Sequence, residues 1–162
     1  MPESEKIALV TGANKGIGFE VARQLAAKGF RVFVGARNEK AGRAAAQKIG
    51  PPATFLKIDV SDPASIREAA AELAKMVDRL DVLVNNAGII VDGDDAILKA
   101  MPDQFETTMR TNTVGPLIVA QAFSPCWRTH RHRGSSMFQA AADNCTTAPM
   151  AGRQFIAFQK RR

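Results

Sequence analysis

Three glycines, Gly12, Gly16 and Gly18, fall in the run Thr11-Gly12-Ala13-Asn14-Lys15-Gly16-Ile17-Gly18, directly after a short apolar stretch. Glycines at this spacing let a backbone turn tightly and come close to a pyrophosphate, whose charge the N–H groups of a following helix would meet. Further on, Gly35-Ala36-Arg37 ends a second apolar stretch. A carboxylate there would accept the 2′-OH of an adenosine ribose. Arg37 instead offers a planar fork suited to a 2′-phosphate, and Lys15 adds a second cation. The chemistry this favours is binding of NADP(H) over NAD. The plainer alternatives are a glycine-rich turn without ligand and two solvated surface charges.

The elements that would have to hold these residues alternate along the chain. Lys6 to Thr11 reads as a buried strand, and Ile17, Val21 and Leu25 recur at helical spacing up to a stop at Gly29. Arg31–Val34 is a second strand, Glu39–Ile49 an alanine-rich helix, and Thr54–Ile58 a third strand. Asp62 can cap a helix with Pro63 in its first turn and Ile66, Ala70, Leu73 and Val77 as its buried stripe. Val82-Leu83-Val84 gives a fourth strand, ended by Asn85-Asn86-Ala87-Gly88. Pro102 to about Phe123 reads as a long helix with an irregularity at Gly115-Pro116. Strands alternating with helices over short loops predict an α/β fold with a parallel sheet and right-handed crossovers.

The net charge of +6 resides in one region. Residues 1–125 carry 15 Lys and Arg against 15 Asp and Glu, whereas residues 126–162 carry 7 against 1. Both cysteines, both histidines and the tryptophan also lie in 126–162, where no period of 2 or 3.6 persists. Two units are therefore expected: 1–125, the N-terminal part of a nucleotide-binding domain, and 126–162, an irregular basic tail. No apolar run approaches the ~20 residues of a membrane span, and no signal-peptide pattern opens the chain. A cytoplasmic protein without membrane partner is the expectation. Cys126, His130, His132 and Cys145 match no usual zinc spacing, and the tail has no recognition helix for nucleic acid; both remain minor alternatives.

Taken with Asp59-Val60 after the third strand, Asn85-Asn86-Ala87-Gly88 after the fourth, and Asn112 on the long helix, the glycine run resembles the short-chain dehydrogenase/reductase family. The likeness covers about residues 5–125 and is nearest to its carbonyl reductase branch. It implies a Rossmann-type doubly wound sheet, incomplete at about four strands, in the order 3-2-1-4. It implies further that Gly12, Gly16 and Gly18 hold the pyrophosphate, with Ile17 beside them, and that Asn14 faces the adenosine ribose. Asp59 would accept from the adenine amine, and Val60 would pack or pair by its backbone. Asn86, Ala87 and Gly88 would line the cofactor cleft. Asn112 would kink its helix around a water in a proton relay and is the one catalytic candidate. For Asp59 and Asn112 the alternatives are a turn residue and a helix residue bonded to its own backbone.

In that family a serine, a tyrosine and a lysine three residues beyond it perform the proton chemistry. No tyrosine occurs in the chain. Ser135-Ser136 follows Arg131-His132-Arg133-Gly134, which is no strand. Codons for Cys126 to Gln139, displaced by one nucleotide, can encode an apolar strand ending in serine. A frameshift near Ser124-Pro125 accounts for the change of pattern. The expected function is thus NADPH-dependent reduction of a small carbonyl compound, or its reverse, by family. This chain is expected to be inactive, with a non-catalytic NADP(H)-binding or regulatory role as the alternative. Substrate and oligomeric state are left open.

Overall fold

Strand-forming runs with both faces apolar belong in the middle of a layered fold, covered by helices on each side. The computed structural model describes residues 5–90, 101–126 and 156–157, and it has that form. Strands β1 (Lys6–Thr11), β2 (Phe30–Ala36), β3 (Ala53–Lys57) and β4 (Val82–Asn85) form a parallel sheet in the order β3-β2-β1-β4. This is the incomplete Rossmann-type sheet that the sequence predicts. A two-residue strand, β5 (Ile156–Ala157), adds to the far side of β4, also parallel.

Period-two alternation divides the side chains of each strand between two layers. Leu9, Phe33, Leu56 and Leu83 face α3 (Pro63–Met76) and α5 (Gly115–Phe123), where Ile66, Leu73, Val119 and Phe123 complete one core. Val10, Val32, Val34 and Val84 face α1 (Gly16–Ala27) and α2 (Glu39–Ile49), meeting Ala22, Ala45 and Ala46. The second layer is lined by small residues, so these helices lie close to the sheet. Gly42 of α2 shows why: a Cβ there would run into the Phe55 ring.

The apolar residues Ile17, Val21 and Leu25, whose spacing marks α1 as a helix, do not form its buried face. Gly18 and Ala22 are its buried residues, whereas Ile17 is 49% exposed. Close approach to the sheet selects the smallest side chains for contact and turns Ile17 outward, while Val21 and Leu25 stay at the margin of the core. On α3 the buried set is Ile66, Ala69 and Leu73, with Ala70 packed at its edge.

The expected long helix from Pro102 is three pieces: α4 (Pro102–Met109), a π-helical turn (Arg110–Val114) and α5. Pro116 has no N–H and its ring crowds the carbonyl four residues back, so regular α-geometry cannot pass through it. The strain is taken up one turn earlier, where Gly115 N–H bonds to the Arg110 carbonyl across five residues. Gly115 is also required by contact, because a Cβ there would meet the Val60 carbonyl.

Register brings the functional segments to one end of the sheet. Thr11 stands opposite Gly35, and Val10 opposite both Val34 and Val84. The glycine run, Arg37 and Asn86 therefore all leave the sheet at its carboxyl edge. The opposite end is locked by Asp81, whose Oδ2 accepts from Ile7 N at 2.7 Å and pairs with Arg79 Nε at 3.1 Å.

Candidate functional site

The first turn of α1 lacks what the other crossover helices have. Asn38 caps α2 by accepting from Ala41 N at 2.9 Å, and Asp62 caps α3 by accepting from Ala64 N at 2.8 Å. At α1 the capping position is Lys15, with no side-chain cap, and the first turn holds no carboxylate. A helix N-terminus left with open N–H groups and no acidic residue is suited to an external anion. Gly12 and Gly16, at φ 65° and 61°, turn the chain into this helix through the left-handed region. A Cβ at Gly16 would project into open space, so the backbone here is bare. These features fit a phosphate-bearing ligand. Asn14 is half-buried in the same loop, and Lys15 and Arg37 are exposed.

Thr11, buried to 1% exposure, organises the loop from beneath. Its Oγ1 accepts from Asn86 N and from Ala87 N, each at 3.1 Å, and donates to the Val84 carbonyl at 3.3 Å. Asn86 returns the connection: its Nδ2 donates to the carbonyls of Thr11, at 2.9 Å, and Gly12, at 3.2 Å. The segment after β4 is thereby stitched to the glycine loop after β1. Gly18 makes room for the stitch, because a Cβ there would strike Asn86 Nδ2 and lie 2.6 Å from the Gly12 carbonyl. Gly12 likewise admits Ala87, whose Cα would be 2.9 Å from an added Cβ.

Asp59 is fixed by its neighbours. Ser61 donates to Asp59 Oδ1 through both its N–H, at 2.9 Å, and its hydroxyl, at 2.6 Å, while Asp59 N–H donates to Ser65 Oγ at 2.9 Å. Partial burial pushes the carboxyl pKa up, but the two Ser61 bonds and the Arg37 charge outweigh it, leaving Asp59 below the ordinary value of 3.8. What this group adds to stability is fully present above that value and is lost as pH falls through the lower folded pKa. Asp59 is therefore anionic at neutral pH, with Arg37 close enough to stabilise it. Val60, almost fully buried, sits under Gly115, and a groove lined by Val60, Ser61, Arg110, Val114 and Ile118 runs beside it.

Asn112 lies in the π-helical turn and bonds across to the chain after β4. Its Nδ2 donates to the Ile89 carbonyl at 2.8 Å and its Oδ1 accepts from Ile89 N at 2.9 Å. The alternative of a bond to its own helix backbone is replaced by this two-point clasp. A Cβ on Gly88 would lie 3.2 Å from Asn112 Oδ1, so that glycine admits the clasp. The structure thus brings Gly12, Gly18, Asn86, Ala87, Gly88 and Asn112 into one connected rim.

Thr11, Ser61 and Ser65 also take part in the site, although no motif in the sequence marks the first. Asp-x-Ser at 59–61 is a visible signal for a local side-chain turn. The role of Thr11 depends on strand register, which no local motif encodes. The buried Cys126 has its thiol pKa raised by burial, and its carbonyl accepts from Leu80 N at 2.7 Å. The other zinc candidates, His130, His132 and Cys145, lie outside the described residues, as does Ser135-Ser136. Among the described residues no helix is long and apolar enough to cross a membrane.

The family model for short chain dehydrogenase matches residues 6–140. The chain belongs to the short-chain dehydrogenase family. It is 42% identical over 129 residues to mouse (Mus musculus) carbonyl reductase (NADPH) 1, covering 77% of this chain and 46% of that protein. It is 36% identical over 146 residues to (+)-neomenthol dehydrogenase of Arabidopsis thaliana, covering 76% of this chain and 49% of that protein. Its fold is similar to the Pseudomonas aeruginosa RhlG/NADP active-site complex, with a TM-score of 0.69 and 34% identity over 75% of this chain and 47% of that one. The short-chain dehydrogenase match extends past the change of composition at Pro125, and the chain spans about half the length of these relatives.

Proposed function

We propose that this chain binds NADP(H) at the carboxyl edge of its sheet, as the adenosine and pyrophosphate side of a short-chain reductase of carbonyl compounds. The observation that carries this reading is the uncapped, carboxylate-free N-terminus of α1 behind two left-handed glycines. Gly12, Gly16, Ile17 and Gly18 would hold the pyrophosphate against that helix, and Asn14 the ribose side. Lys15 and Arg37 would take the 2′-phosphate. Asp59, held anionic, would accept from the adenine amine, with Val60 as the pocket floor. Asn86, Ala87 and Gly88 would form the opposite wall. Carbonyl reductase (NADPH) 1 of the mouse and the RhlG/NADP complex support the choice of nucleotide.

When bound, NADPH supplies a hydride to a carbonyl carbon. The chain must then deliver a proton to the carbonyl oxygen. The tyrosine that does this in the resembled family has no counterpart in these 162 residues, which contain no tyrosine. Asn112 acts as a positioning residue, holding the chain after Gly88 by its clasp on Ile89. We therefore assign cofactor binding without turnover to this chain. A displaced reading frame near Ser124-Pro125 would account for the missing tyrosine, whereas the family match to residue 140 favours an undisturbed frame; the nucleotide sequence around codons 120–130 decides between them.

The absence of tyrosine equally favours a purely nucleotide-binding, regulatory protein of the same fold. Absence of turnover, which both readings share, is tested by NADPH oxidation by the purified chain with quinones and aldehydes. No rate above the protein-free background is expected, and a steady rate proportional to protein concentration would overturn the assignment.

A further inference from the structure

β4 has the sequence of an interior strand. Leu83, Val84 and Asn85 are buried, and successive side chains enter opposite core layers. Strands that border a sheet usually carry a lysine, a proline or a bulge that discourages pairing with another molecule. Val82-Leu83-Val84-Asn85 has no lysine or proline. One side of β4 is taken by β1. Without a partner, the other side would offer unpaired N–H and C=O groups to any exposed strand.

The structure seats β5 there, in parallel, with Val84 opposite Ile156 and Asn85 opposite Ala157. These residues lie outside the segment matched by the family model. They fall in the run Phe155-Ile156-Ala157-Phe158, whose apolar, β-branched and aromatic content suits a strand. Arg153 and Lys160 flank this run. Flanking cations discourage such apolar segments from stacking on one another, so they favour pairing with a single edge over open-ended assembly.

We infer that the strand Ile156–Ala157 is an intramolecular cover for β4, added in cis, that keeps the sheet from pairing with a second copy. Its register ends beside Asn85, immediately before Asn86, so the cover also secures the strand from which the Asn86–Gly88 wall departs. The inference does not depend on which nucleotide that wall contacts.

The test compares the full chain with its Ile156→Pro, Ala157→Pro variant, in which both strand residues lose their N–H donors. Light scattering over a concentration series and amide hydrogen exchange at β4 and β1 are the readouts. The wild-type chain should be monomeric, with β4 amides not directed at β1 protected equally at every concentration. In the variant those amides should exchange at least about tenfold faster and the protein should self-associate, while β1 amides remain protected. A variant that stays monomeric with unchanged β4 exchange overturns the inference. Wild-type protection that rises with concentration also overturns it, because a second copy would then be the cover. Should the variant lose β1 protection as well, the wild-type series decides alone: concentration-independent protection supports the cover, and unprotected β4 amides refute it.

Discussion

Gly18→Val should abolish measurable NADP(H) binding and lower stability by about 1–3 kcal/mol. An added Cβ at Gly18 is aimed at Asn86 Nδ2 and at the Gly12 carbonyl, which are themselves bonded to each other. Neither can yield freely. Moving Asn86 breaks its bonds to Thr11 and Gly12, and moving Gly12 drives its backbone toward Ala87. Either response displaces the loop whose bare backbone fits the phosphates. For a chain of this length the stability loss corresponds to roughly 2–4 °C in Tm per kcal/mol. Thermal unfolding and NADPH fluorescence titration check both parts. Wild-type affinity and Tm in the variant would show that α1 can recede without cost and that the stitch does not shape the site.

Thr11→Val should cost about 2–3 kcal/mol, a larger effect than its nearly unchanged shape suggests. The substitution keeps the volume of a fully buried side chain and removes only the hydroxyl. Asn86 N and Ala87 N then lose their acceptor, and the Val84 carbonyl loses a donor. These N–H groups are partly buried, and left without a partner they carry much of their desolvation penalty, which is why deleting one acceptor outweighs the modest net value of a hydrogen bond. Thr11→Ser retains the oxygen and should lose about 1 kcal/mol for the missing methyl. Urea unfolding of the two variants separates the roles. If Thr11→Val lies within about 0.5 kcal/mol of wild type, an ordinary surface-like tolerance, the hydroxyl is not the hub described.

The βα alternation was legible in the sequence because it follows from short-range signals, whereas the sheet order came only from the family resemblance. Asp62-Pro63 marks the start of α3, Gly29 the end of α1, and runs such as Ile7-Ala8-Leu9-Val10 the buried strands. The glycine positions were legible because positive φ and close approach leave few alternatives to glycine. Apolar spacing gave the helix at α1 but not its buried face. Ile17 fits a buried stripe by spacing, yet the packing distance at Gly18 decides which face turns inward. The irregularity at Gly115-Pro116 was visible, but its displacement to Arg110–Val114 was not, because the proline constrains the turn before it.

Long-range partners were the least legible. The Asn112 clasp on Ile89 spans 23 residues, and the Thr11 bonds to Asn86 and Ala87 span 75 and 76. Such pairs depend on which strands become neighbours and on their register, not on anything adjacent in the chain. The placement of Ile156–Ala157 beside β4 is the extreme case. Residues 126–162 have no sustained period, and the strand-like content of Phe155-Ile156-Ala157-Phe158 does not say which edge it would join.

Calorimetric titration of the purified chain with NADP+ and with NAD+ tests the central claim most directly. One site should bind NADP+ at least about tenfold more tightly than NAD+, a difference of about 1.4 kcal/mol attributable to the Arg37 and Lys15 charges on a 2′-phosphate, and Arg37→Ser should erase most of it. Equal affinity for the two nucleotides, or no saturable binding of either by the folded protein, would contradict the account.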